Sequence, residues 1–196
     1  MTGYLRFFDY DKALNYYCEL IAKMNQCTNR NNHERIIAKP ILVLTIIKLI
    51  EDGKKINQFT YEEIEPIYKG LFGEYFIKAH QLNLTCLQYP YYFLKSDNFW
   101  HLAWTNSELK TESPNRAWLE RNTQYAFIDQ ELWILLSHPF YRKKLKEYII
   151  NEKILKVYND EKNKGILKKS FTIANGYIKL MKSRKKHLVA ILRSFP

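Results

Sequence analysis

Residues 89–104 read YPYYFLKSDNFWHLAW. Two aromatic-rich runs, 89–94 and 99–104, flank the polar turn Lys95-Ser96-Asp97-Asn98. Aromatic residues suit a pleated, half-buried surface, so the stretch predicts a β hairpin. Residues 124–128 offer a third strand. Upstream, Leu14, Tyr17, Cys18, Ile21 and Met24 recur at helical spacing, which predicts a helix over 7–24. The polar, Asn-rich stretch TNRNNHE at 28–34 reads as a loop.

Lys39-Pro40 then leads into ILVLTIIKLIED and Gly53. The β-branched residues would allow a buried strand. Pro near the start, Gly just past the end and the length favour a buried helix. Thr60 heads TYEE, a capping-box pattern that predicts a helix to about residue 79, with Pro66 in its second turn. Downstream, Asp129 is positioned to cap a helix over 130–136. Ser137-His138-Pro139 opens a further, Lys-rich helix. Helices followed by a hairpin define the expected class: α+β, mainly helical and winged-helix-like, with a small antiparallel sheet. The organisation expected is a body over 1–150 and a basic helical extension over 151–196.

Charge is unevenly spread along the chain. Of a formal net charge of +11, residues 142–196 hold 16 Lys and Arg against 4 Asp and Glu, whereas residues 1–141 hold 15 against 16. A neutral body followed by a polycation points to a polyanionic partner, although a charged face can equally serve only solvation. Two features make cytoplasm the expected compartment and a membrane role unexpected. The N-terminus has no basic region leading into an apolar one, and the apolar run 41–50 is broken by Thr45 and Lys48. Cys18, Cys27 and Cys86 form no C-x-x-C pair and are expected to be small buried residues in a reducing environment.

Catalytic patterns are scarce. His33, His80, His101, His138 and His187 are scattered singly, without an H-x-x-x-H or His-Asn-His constellation. Asp97 followed by Glu108-Leu109-Lys110 has the acidic, E-x-K order of one nuclease superfamily, a permissive match that chance often produces. No phosphate-cradling Gly-rich loop and no nucleophile elbow is legible. The chain is expected to be a binding module without catalytic residues, metal or cofactor. YPYYFLKS sets aromatic faces, a rigid Pro and a cation side by side, a combination suited to nucleic acid. Such rings also fill cores, and Phe99 and Trp100 are expected to do so, leaving Tyr89 and Pro90 exposed.

Three ordered motifs carry a resemblance. Ala38-Lys39-Pro40 with ILVLTIIKLIEDG, then YPYYFLKSDNFWHLAW, then SPNRAWLERNTQYAFIDQELWILLSHPFYRKKLKEYI resemble the N-terminal domain of bacterial HNH-type restriction endonucleases. In McrA-type members this is the sulfur-binding domain that recognises phosphorothioated DNA. The resemblance spans about residues 36–150 and does not include an HNH domain. It implies that Tyr89, Pro90 and Phe93 form a sulfur pocket and that Lys39 and Arg116 contact DNA phosphates or base edges; Lys95 and Arg121 are further candidate DNA contacts. Ala38 stands where sulfur-binding members carry His, and Phe93 is bulkier than the small residue they can carry. Double-stranded DNA, and a separate nuclease subunit, are the partners implied. The alternative is a protein-interaction or sensor module of a defence system that keeps the fold without the pocket.

Overall fold

The architecture is built on one apolar helix, α2 (Ala38–Glu51), of which only Lys48 and Glu51 are exposed. A computed structural model describes residues 9–28, 35–78 and 84–156. Pro40 lies in the first turn of α2, where a missing N–H costs no helical hydrogen bond. Gly53, at φ +100°, ends the helix: Lys54 N–H donates to Leu49 O and Gly53 N–H to Ile50 O, a Schellman closure. Thr45, fully buried, donates its hydroxyl to Ile41 O at 2.8 Å. Each fully buried Ile or Leu on this helix contributes roughly 1.5–3 kcal/mol, so α2 is the chief apolar contributor to the core.

The other elements are laid around it. α1 (Tyr10–Lys23) begins at the Asp9 cap, whose carboxylate accepts the N–H groups of Asp11 and Lys12. The expected start at residue 7 lies outside the described residues. α3 (Tyr61–Lys78) packs on α2 and opens as expected, with Glu63 N–H donating to Thr60 Oγ1. Its expected end at residue 79 is also outside the described residues.

The hairpin expected over 89–104 does not form. Residues 89–94 are helical: α4 (Gln88–Phe93) continues as a 3-10 turn (Leu94–Asp97) before the chain enters β1 (Trp100–Trp104). The physical reason is visible in spacing. Leu87, Pro90, Tyr91 and Leu94 are all buried at i, i+3, i+4 and i+7, a helical stripe that outweighs the β preference of the aromatics. Asn98, left-handed at φ 61°, makes the reversal between the turn and the strand.

The partner of β1 is the expected third strand. β2 (Thr123–Ile128) pairs with it antiparallel, Trp100 opposite Ile128 and His101 opposite Phe127, with an irregularity at Ala103/Trp104. The two are joined through α5 (Arg116–Asn122), capped by Asn115. The free edge of β2 is covered: Phe59 exchanges backbone hydrogen bonds with Ala126, and the Asn57 amide pairs with both backbone groups of Ile128. Asp129 precedes α6 (Gln130–Ser137) without capping it, because its carboxylate is taken by His101 Nε2 at 2.6 Å and the Tyr17 hydroxyl at 3.2 Å. The class is α+β and mainly helical with a small antiparallel sheet.

α7 (Pro139–Ile149) starts at Pro139 and runs without a break into a π-helical turn (Ile150–Leu155). The first residues of the expected extension pack on the body: Lys153 and Ile154 are buried, and the Lys153 ammonium donates to Ala22 O and Met24 O at the end of α1. Burial pushes the Lys153 pKa down. The helical extension expected beyond this turn falls outside the described residues. Among the described residues, no helix is long and apolar enough to cross a membrane.

Candidate functional site

Where α2 begins, three segments converge on a cavity of about 310 Å³ with almost entirely apolar walls. The first turn of α2 contributes Ala38 and Lys39, preceded by Ile36. α4 supplies Tyr89, Pro90 and Phe93. The segment after α1 adds Asn25, Gln26 and Cys27, and Thr85 completes the lining. One turn of α4 presents Pro90 and Phe93 together, because residues three apart share a helix face. Pro90 is buried although it was expected to be exposed, while Tyr89 and Phe93 are 42% and 37% exposed and form the rim.

The wall after α1 is held by main-chain and amide hydrogen bonds. Ile36 N–H donates to Cys27 O at 2.8 Å, and Thr28 bridges Arg35. The Gln26 amide donates to Ile36 O and to Lys153 O, which links this wall to the π turn. No motif in the sequence marks Asn25, Gln26, Cys27, Ile36 or Thr85 as lining residues. Cys27 and Cys86 are exposed and Cys18 is half-buried, so the cysteines are not the uniformly buried set expected from spacing.

Lys39 is the charged side chain of the lining, and it is 9% exposed. Its ammonium meets Asp97 Oδ2 at 2.5 Å and Ser96 Oγ at 3.4 Å. Asp97 Oδ1 accepts the Asn25 N–H at 3.0 Å, so one carboxylate ties α2, the 3-10 turn and the segment after α1 together. α2 also contributes its positive end: Ala38 and Lys39 are first-turn residues whose N–H groups have no acceptor within the helix.

The other expected DNA-contacting cations lie away from this lining. Lys95 pairs with Glu108 at 2.8 Å and sits over the rings of Tyr92 and Trp104, at 4.4 and 5.2 Å from their centroids. The hydrogen bond from Lys95 holds the Glu108 carboxyl below its ordinary pKa. Arg116 pairs with Glu65 and Glu120 and lies over Tyr61. Arg121, exposed on α5, has no ion pair among the described residues. The acidic residues of the loose nuclease match are thus engaged by lysines, Asp97 by Lys39 and Glu108 by Lys95. Among the described residues no group of three His, Cys, Asp or Glu side chains could hold a metal ion.

In comparisons with known proteins, no family model matches the chain and no curated protein matches it significantly.

Proposed function

We propose that this chain is a DNA-binding domain that recognises phosphorothioated double-stranded DNA with little dependence on base sequence. It would serve a cytoplasmic bacterial restriction or defence system in which a partner nuclease performs any cleavage. The observation that carries the reading is the cavity itself: Lys39, Tyr89, Pro90 and Phe93, which the resemblance to sulfur-binding domains singles out, line one apolar hollow. Sulfur in place of a non-bridging phosphate oxygen is larger, softer and a poorer hydrogen-bond acceptor, so it tolerates apolar walls. An ordinary oxygen forced against those walls loses water without a replacement partner, at about 1–3 kcal/mol. That difference discriminates against unmodified DNA by roughly five- to 150-fold.

The basic C-terminal segment supplies sequence-independent attraction to the duplex, so affinity falls steeply with added salt. The deciding experiment is a gel-shift titration of two duplexes identical except for one sulfur. Preference for the sulfur-bearing duplex supports the reading, and equal affinity removes it.

One observation favours a second reading, a protein-interaction or sensor module. Lys95 and Arg116 already hold carboxylates, which reduces the charge they offer to phosphates. Deleting residues 157–196 separates the two readings, because the described body keeps some DNA affinity under the first and has none under the second.

A further inference from the structure

We infer that Asp97 sets the selectivity of the cavity by occupying the ammonium of Lys39 that an ordinary phosphate oxygen would otherwise use. The identity of the ligand rests on the phosphorothioate reading; the electrostatics do not. Both side chains are nearly enclosed, with 11% of Lys39 and 6% of Asp97 exposed. Opposite charges in contact in such a medium attract far more strongly than at a surface. The rest of the lining (Ile36, Ala38, Tyr89, Pro90, Phe93 and the neutral polar side chains beside them) carries no formal charge. With Asp97 against Lys39, the ammonium of the lining is matched by one carboxylate.

A lysine has three N–H donors. Asp97 Oδ2 and Ser96 Oγ take two of them, and Ser96 is itself held by donating to Phe93 O at 2.8 Å. A phosphate oxygen entering the cavity is left with the third N–H alone, on an ammonium whose charge is already offset by a carboxylate that Asn25 N–H anchors. Oxygen needs that charge-assisted bond to replace its lost water, whereas sulfur needs it less. Without Asp97, Lys39 would reward oxygen and erase the advantage that the apolar walls give to sulfur. Asp97 is therefore a specificity-determining residue that touches the ligand's partner and not the ligand.

The test compares the full-length protein with Asp97→Asn, which keeps the size and polarity of the side chain and removes its charge. Binding is measured on the paired duplexes with and without one sulfur. The inference expects affinity for the unmodified duplex to rise about tenfold, the sulfur preference to shrink accordingly, and the gain to vanish in Lys39→Gln/Asp97→Asn. Unchanged or reduced affinity for unmodified DNA in a folded Asp97→Asn protein overturns it, as does a gain that persists without Lys39. If a melting curve shows that Asp97→Asn does not fold, Asp97→Ser with the same Lys39→Gln control decides by the same criteria. Absence of any sulfur preference in the unaltered protein removes the phosphorothioate reading alone, since the Lys39-dependent gain on ordinary DNA is scored separately.

Discussion

The indole N–H of Trp100 donates to the carbonyl oxygen of Tyr91 at 2.8 Å, and both residues are buried. Their rings meet edge-on, 5.7 Å apart at 83°. This contact spans the 3-10 turn and fixes the direction of α4 against β1, so that Tyr89 and Phe93 face outward at the cavity rim. Trp100→Phe removes the donor and leaves both a void and a buried carbonyl. We expect a loss of about 2–4 kcal/mol, read as a lower urea midpoint with unchanged slope.

Asn98 tests the backbone reversal that follows. Its φ of 61° suits Gly and Asn and strains a β-branched residue. Asn98→Gly should leave stability within about 0.5 kcal/mol of the parent, while Asn98→Val should cost about 1–3 kcal/mol. Thermal melts of the two variants side by side check the order.

Alkali should unfold the protein in a defined direction. Burial, first among the causes, raises the phenol pKa values of Tyr17, Tyr68 and Tyr91 above the ordinary 10.0, and pushes Tyr61 up to about 12. Above pH 10 the unfolded chain releases protons that the native core retains. The stability these phenols contribute is therefore full below pH 10 and is lost as pH rises toward the folded values. The slope approaches about 1.4 kcal/mol per pH unit for each phenol. Lys153 acts in the opposite sense, with its folded pKa below 10.5, whereas the Cys18 thiol, pushed up from 9.0 to about 11 by burial, acts with the phenols. Urea titrations at rising pH, with phenolate absorbance followed in parallel, should show ionisation and unfolding together.

Tyr89 separates binding from folding. Its side chain is exposed at the rim, so Tyr89→Ala should change stability by about 0.5 kcal/mol or less. Under the proposed function, affinity for sulfur-bearing duplex falls about tenfold and affinity for ordinary duplex hardly moves. The salt slope of binding stays the same, since no phosphate-neutralising charge is removed. Equal losses on both duplexes would count against Tyr89 as a wall of a sulfur pocket.

The helical body was legible where sequence signals were local. The Pro-to-Gly frame of α2, the Thr60 cap and Pro139 at the head of α7 each have one mechanism and one position. In the segment 89–94 periodicity outweighs composition. Its aromatics favour a strand, yet the stripe Leu87, Pro90, Tyr91, Leu94 was already in the sequence at helical spacing. The helix makes Pro90 and Phe93 neighbours on one face and leaves β1 to pair with β2 across α5.

The site was only partly legible for a related reason. Lys39 and the Tyr89-Pro90 step stand out as residue types, whereas Asn25, Gln26, Cys27 and Thr85 reach the cavity through long-range contacts that no short pattern encodes. The pairing of Lys39 with Asp97 spans 58 positions and joins a residue marked as a DNA contact to one marked as a nuclease acid. Neither label anticipates that the two residues engage each other.

The side-chain amide of Gln26 grips the carbonyls of Ile36 and Lys153 at once, and so acts as a strut between the hollow and the turn that follows α7. A fragment trimmed at residue 150 would discard the far anchor of that strut along with everything after it. Feeble DNA binding by such a fragment would then report a sagging wall, and would say nothing about the contribution of the polycation.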